Sequence, residues 1–360
     1  MQATNILIIQ NKRIGDALLT SVIANNIKTV FPESKVTFFA YDYTSGVLEN
    51  NPNIDELWLV NEKDLKIQAY FLKTLLHVRK NKYDVIFDPY AKFQSKMMCL
   101  FSGASVRLGF KRKNKKLKLP FYTKAVNFKE KATLPCGRAI EDRINMIETA
   151  FELPSPDYHP RIFLTEKESN RNSKALGEKL VVMFGVLGSV PKKSMPKTYI
   201  AELVNYVTST YEVTVLFNYA PHQKADALGI YELCTHKEAI NLDVYAESIR
   251  DFAVLMKQCD VLIANEGGSV HIAKALSKPT FTIYSPYIDK DAWNSFEDGS
   301  FHQSVHLKEE QPRLYNSFDR ETTKKIEKNP EYLYQQLTPE LILHKLKPYL
   351  KNRNLPLKKN

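Results

Sequence analysis

The stretch Val261-Leu262-Ile263-Ala264-Asn265-Glu266-Gly267-Gly268-Ser269-Val270-His271-Ile272-Ala273-Lys274-Ala275-Leu276 restricts the fold more than any other. An apolar run of strand character meets two glycines. A segment of helical spacing follows and ends before Lys278-Pro279. That order is strand, tight turn, helix start. Glycine lets backbone approach a ligand closely, and the unpaired N–H groups of a helix start attract anions such as phosphate. Glu266 falls at the strand's carboxyl end, where open α/β sheets hold ligands, and His271 lies about one turn into the helix. By itself the stretch also fits an ordinary glycine turn of an α/β domain.

The same alternation runs through the chain. Ile6 to Ile9 reads as a buried parallel strand, Gln10 to Asp16 as a loop, Ala17 to Ile27 as a helix and Val36 to Ala40 as the next strand. Strands follow at 56–60, 83–88 and 105–110, with helices at 70–80 and 92–102 between them. After a helix over 138–153, the prolines of Pro154-Ser155-Pro156 and His159-Pro160 mark a linker. A second alternating half follows, with helices expected at 166–176, 198–208, 224–234 and 249–258. Its strands are expected at 180–184, 213–217, 239–242 and 280–284, besides the one that opens at Val261. No regular elements can be placed between 286 and 330, and a helix is expected from Pro339. Strand–helix alternation of this kind predicts parallel sheets with right-handed crossovers.

At 360 residues the chain is long enough for two such domains. The boundaries read as 1–160 and 161–335, with a terminal helix and basic tail over 336–360. An apolar fraction of 44% with 25% charged residues is that of an ordinary globular protein. No apolar run is long enough to span a bilayer, and the amino terminus lacks signal-peptide character, so a cytoplasmic protein is expected. Four scattered cysteines lack metal-ligand spacing and read as reduced, buried residues. The net charge of +11 points to an anionic partner: a phosphorylated ligand, an anionic membrane surface or nucleic acid. No zinc-finger or RNP-type signature supports nucleic acid.

Three further places carry candidate chemistry. Asp16, where the first loop meets the first helix, reads either as a helix cap or as a general base facing a cleft. The run Lys111-Arg112-Lys113-Asn114-Lys115-Lys116-Leu117-Lys118 holds six basic residues in eight. It is either a solvated loop or a surface for anionic headgroups or a phosphorylated acceptor. The loop from Gly185 to Pro196, with Gly188, Ser189 and Lys193, suits a phosphate, although the glycine–lysine–serine/threonine order of a P-loop is absent. A dehydrogenase is disfavoured, because one glycine, Gly15, follows the first strand in place of the Gly-x-Gly-x-x-Gly turn.

Four spaced features resemble glycosyltransferase family 9, the bacterial heptosyltransferases of lipopolysaccharide inner-core assembly. They are Ile6 to Ile9 followed by Ile14-Gly15-Asp16-Ala17-Leu18-Leu19-Thr20; Ser102-Gly103-Ala104 followed by Arg107-Leu108-Gly109-Phe110; Lys193-Ser194-Met195-Pro196, similar to the family's Lys-x-Trp-Pro; and Asn265-Glu266-Gly267-Gly268-Ser269-Val270-His271, similar to Asn-Asp-Ser/Thr-Gly-x-x-His. The resemblance implies a GT-B architecture: two Rossmann-like parallel-sheet domains facing across a cleft, acceptor on the first half and nucleotide sugar on the second. It implies inverting heptose transfer from ADP-heptose to a Kdo or heptose hydroxyl of a lipid-linked core oligosaccharide.

Asp16 matches the family's general base, and Lys193 the lysine near the donor phosphates. Ser189, Glu266, Gly267, Gly268, Ser269 and His271 fall on the donor loops, and Lys12, Arg13, Lys111 and Arg112 are acceptor-side candidates. No Asp-x-Asp motif sits at a strand end, so no obligatory metal or other cofactor is expected. Peripheral contact with the anionic inner membrane is expected. Two departures, Glu266 for the family's Asp and Met195 for its Trp, bear on the donor sugar. The alternative readings are a related transferase using another nucleotide sugar and a non-catalytic nucleotide-sugar-binding protein.

Overall fold

A computed structural model describes residues 4–111, 120–171 and 176–358. Arg112 and the rest of the basic run beyond Lys111 lie outside the described residues, as does part of the helix expected over 166–176. The chain divides into two compact units, Met1–Phe163 with Asp291–Ser295, and Leu164–Lys290 with Phe296–Asn360.

The first unit is built on β1 (Asn5–Ile9), β2 (Lys35–Tyr41), β3 (Glu56–Val60), β4 (Val85–Asp88), β5 (Val106–Phe110) and β6 (Lys124–Val126). All six pair in parallel, in the order β3-β2-β1-β4-β5-β6. Ile6 to Ile9 are fully buried, as their unbroken apolar run requires of a strand covered on both faces. The helices α1 (Ile14–Val30), α2 (Gln68–Lys80), α3 (Phe93–Ser102) and α4 (Arg138–Glu148) connect and cover the strands.

The second unit repeats the plan with β7 (Leu180–Gly185), β8 (Val213–Asn218), β9 (Ile240–Asn241), β10 (Val261–Asn265), β11 (Thr280–Ile283) and β12 (His302–Val305). Its order, β12-β11-β10-β7-β8-β9, is that of the first sheet read from the other edge. The main helices are α5 (Lys197–Thr210), α6 (Lys224–Glu232), α7 (Ile249–Gln258), α8 (Gly268–Ala275), α9 (Arg320–Lys328), α10 (Glu331–Gln336) and α11 (Pro339–Lys351). Leu346, Tyr349 and Leu350 of α11 are buried in the same apolar core as Phe281 and Val305 of the sheet.

The expected α/β class with two Rossmann-like parallel sheets is therefore present. Strand order reverses between β1 and β4, and again between β7 and β10. Such reversals open a crevice beyond the strands' carboxyl ends, because the connections on either side run to opposite faces.

Two expectations change. Asp16 is not a helix cap: α1 begins at Ile14, Arg13 takes the N-cap position, and Asp16 sits inside the first turn. The 286–330 region is not irregular, since it holds β12, the short helices Leu307–Glu310 and Pro312–Asn316, and α9. β12 is a four-residue edge strand with a polar sequence, too short for periodicity to show. All four cysteines are free and buried. No helix among the described residues is long and apolar enough to cross a membrane.

Candidate functional site

At the reversal point of the first sheet, a cavity of about 500 Å³ opens beyond the ends of β1, β4, β5 and β6. Gln10, Lys12 and Asp16 line it from the first strand and helix, with Pro89 and Tyr90 from the loop after β4. Phe110, Phe128 and Lys129 come from the ends and loops of β5 and β6, and Arg138, Asp142 and Arg143 from α4. Ala292 and Trp293 complete it from the excursion between β11 and β12. With Lys92 from the start of α3, five cations and two carboxylates make the lining strongly basic.

Asp16 is buried in its floor. Lys12 Nζ lies 2.9 Å from Asp16 Oδ1 and also 5.7 Å from the centre of the Trp293 ring. Arg143 Nη2 lies 3.9 Å from the same Oδ1. Arg143 is buried, and its Nε donates to Thr20 Oγ1 at 2.7 Å. Thr20 also accepts from Gln10 Nε2 at 2.9 Å, so strand end, α1 and α4 share one hydroxyl. Burial pulls the Arg143 guanidinium below its ordinary pKa, while Asp16 works in the opposite direction. Burial raises Asp142, although it accepts from Lys129 N at 2.8 Å. Glu141 is buried as well; burial would raise it, but Lys129, Thr133 and Leu134 all donate to it and hold it at about 2.

Of the other acceptor-side candidates, Arg13 and Lys111 are exposed and line no part of this cavity. Sequence reasoning missed Arg143, Asp142, Lys129, Arg138 and Trp293. One signal was available, the consecutive Glu141-Asp142-Arg143 between Ile140 and Ile144. Ile140 to Ile144 are all buried, so three adjacent charges turn inward where a surface helix turn would expose them.

The second unit gathers the donor-side candidates at its own reversal point. Glu266 follows β10 and is buried. Its carboxylate accepts from Ser285 N at 2.8 Å and from Ser285 Oγ at 2.9 Å, which ties it to the loop after β11. Lys193, from the loop after β7, reaches Glu266 Oε1 at 2.9 Å. Tyr334 Oη donates to Ser285 Oγ at 2.8 Å, so α10 joins the same network.

Gly188 makes the Lys193 loop possible, because a Cβ there would stand 2.4 Å from the Lys193 carbonyl oxygen. Gly267 is the N-cap of α8 at φ 156° and ψ −166°, a region open essentially to glycine. Gly268 and Ser269 open the helix half-buried, and His271 is buried in its first turn. Asn265 is buried with both side-chain amide atoms unpartnered at the end of β10. Ser189 is set apart from the ion pair. It is exposed and lines a cavity of about 760 Å³ with Lys192, Lys197, His222, Lys328 and Tyr334. Tyr334 connects that cavity to the Glu266 network.

The arrangement offers a buried carboxylate among cations in one unit. In the other it offers a lysine, a glycine turn and a helix start suited to a diphosphate.

The family model described as glycosyltransferase family 9 (heptosyltransferase) matches residues 72–342. The chain is 24% identical over 298 residues to lipopolysaccharide heptosyltransferase 1 of Campylobacter coli, covering 78% of this chain and 83% of that protein. It is 24% identical over 289 residues to lipopolysaccharide heptosyltransferase 2 of Escherichia coli K12, covering 78% and 82%.

Among solved structures, the glycosyl transferase family 9 protein of Veillonella parvula superposes with a TM-score of 0.77 at 16% identity, covering 98% of each chain. The E. coli heptosyltransferase WaaC with ADP gives 0.65 at 14% identity, covering 84% and 93%. With the family match spanning well over half of its length, this chain belongs to glycosyltransferase family 9 and is a glycosyltransferase.

Proposed function

We propose that the protein transfers a heptose from ADP-heptose to a Kdo or heptose hydroxyl of the lipopolysaccharide inner core, with inversion at the anomeric carbon. The observation that carries this reading is the Asp16 carboxylate, buried among cations at a strand-order reversal in a family 9 chain. As the acceptor hydroxyl attacks, Asp16 takes its proton. The leaving ADP gains negative charge. Lys193 and the N–H groups at the start of α8 stabilise it, so no metal is required for that step.

The basic lining of the Asp16 cavity suits an acid-bearing acceptor such as a lipid-linked core oligosaccharide. A peripheral position on the anionic cytoplasmic face of the inner membrane accords with the basic run at 111–118. The first unit is assigned to the acceptor and the second to the nucleotide sugar.

A second reading keeps the reaction and changes the donor. Glu266 stands where the family has Asp, and here it braces Ser285 and Lys193, so another nucleotide sugar could be the one this loop accommodates.

The test is a transfer assay together with calorimetry using ADP-heptose, ADP, GDP-sugars and UDP-sugars, on wild type and Asp16→Asn. Selective ADP-heptose binding is expected. The variant should lose turnover by about 10²-fold or more while donor affinity is retained. Undiminished turnover in Asp16→Asn removes the general-base role. Selective binding of a different nucleotide sugar establishes the second reading.

A further inference from the structure

The crossover between β11 and β12 carries a short strap, Asp291–Ser295, that groups with the first unit although the chain on either side of it belongs to the second. The base of the strap is pinned. Lys290 Nζ lies 3.4 Å from Glu297 Oε2, so the chain just before and just after the strap is drawn together. Glu297 also accepts from Tyr284 Oη and Ser304 Oγ, each at 2.6 Å, which fixes the base to the end of β11 and to β12. The chain leaves the strap through Phe296 at φ 58°, a left-handed conformation that a β-carbon disfavours. Ser295 is buried against Gly137, the N-cap of α4. A Cβ on Gly137 would stand 3.1 Å from the Ser295 Cα, so only glycine admits the strap there. The strap thus rests on the start of the helix that supplies Arg138, Asp142 and Arg143 to the Asp16 cavity. Backbone held in a disfavoured conformation by its surroundings directs attention to the side chain it presents.

That side chain is Trp293. Its indole is half-buried and lines the cavity. Lys12 Nζ stands 5.7 Å from the ring centre and 2.9 Å from Asp16 Oδ1, so one ammonium serves both the ring and the carboxylate. The face of an indole is electron-rich, which is why it draws a cation. The same face suits the C–H groups on one side of a sugar ring, which are apolar and carry weak positive charge. Tyr90, Phe110 and Phe128 add further aromatic lining, the two phenylalanine rings stacked with centroids 4.1 Å apart. Cations beside ring faces fit a ligand with an acidic, hydroxylated edge and an apolar face, as a sugar acid has.

We infer that Trp293 contacts the acceptor, stacking its indole on one face of the acceptor sugar so that a hydroxyl of that sugar stands beside Asp16. The sugar takes the place over the ring that the Lys12 ammonium now holds, and Lys12 turns to the acceptor's acid group. Trp293 thereby selects a ring with an apolar face, a task that the charged residues of the cavity do not perform. The inference rests on the transfer reading above, since it takes the Asp16 cavity to be the acceptor's.

The chain has two tryptophans, Trp58 and Trp293. Trp58 packs in β3 against Phe39 and lines no part of the cavity. In the Trp58→Phe protein, tryptophan emission therefore reports Trp293 alone. The probe is a deacylated, water-soluble Kdo glycoside, titrated by fluorescence and by calorimetry. A saturable change in emission is expected, with the same dissociation constant by both methods. Trp293→Leu is apolar but has no ring face. It should bind the glycoside about five- to tenfold more weakly and raise its KM by a similar factor, with kcat changed less and donor affinity retained. Trp293→Phe should recover most of that loss. Unchanged Trp58 emission in Trp293→Leu shows that the first unit is folded. If wild type binds the glycoside, and either the emission of Trp58→Phe stays constant or Trp293→Leu binds equally well, the inference is overturned while the transfer reading stands. If wild type binds ADP-heptose but not the glycoside, the acceptor assigned by that reading falls, and the inference falls with it.

Discussion

Lys193 Nζ lies 2.9 Å from Glu266 Oε1, so the loops after β7 and β10 meet through an ion pair. The same carboxylate holds Ser285 by its backbone N–H and its hydroxyl. Under the proposed function, a donor diphosphate would compete with Glu266 for Lys193. The Glu266 side chain therefore braces both loops.

Shortening or neutralising this side chain should cost stability before it changes chemistry. Glu266→Asp cannot keep Ser285 and Lys193 at their present distances from one carboxylate. Glu266→Gln leaves a half-buried lysine charge without its partner. Each should lose about 1–3 kcal/mol in urea unfolding, with the loss confined to the second unit. Unchanged unfolding curves for both variants would show that Glu266 does not brace these loops.

Arg143 of α4 is the second cation beside the Asp16 carboxylate, after Lys12. Its guanidinium joins Thr20 and approaches Asp16 from the buried side. Arg143→Met fills similar volume but leaves Asp16 with Lys12 alone as counter-charge and Thr20 without that donor. Turnover should fall about tenfold or more while donor affinity stays constant, and Arg143→Lys should recover part of the loss. Steady-state kinetics with separate donor calorimetry checks this. A parallel loss of donor binding would point to general misfolding instead.

The buried Glu141 makes stability depend on pH in the acid range. Its folded-state pKa of about 2 lies below the ordinary Glu value, so its contribution is fully present above that ordinary value. The contribution is lost as pH falls toward 2. Glu141→Gln should therefore be less stable than wild type by about 3 kcal/mol at neutral pH, and the gap should narrow steadily below about pH 4.5. Urea titrations at several pH values measure the gap, and a constant difference across the range would contradict the assignment.

Much of the architecture was legible because a parallel sheet buried on both faces demands unbroken apolar strands. Ile6 to Ile9 and Val261 to Ala264 announce themselves in that way. The glycine turn at Gly267-Gly268 and the Gly15-Asp16 start were legible because tight turns and helix starts accept few residue types. β6 and β12 were not, since three- and four-residue edge strands take their identity from a neighbour to pair with. The cap reading of Asp16 failed for a local reason: α1 starts three residues earlier than its apolar spacing indicates, which moves Asp16 inside the first turn.

The sequence by itself determined the class of fold, the family resemblance and the loops on which chemistry was to be sought, because periodicity, turn chemistry and motif spacing are local properties. Only the tertiary structure decided which residues meet. Arg143 is 127 residues from Asp16 along the chain, Ser285 follows a different strand from Glu266, and Trp293 reaches Lys12 from the crossover between β11 and β12. Such pairings are set by strand order and the path of the connections, and no local pattern of residues encodes the distance between two loops.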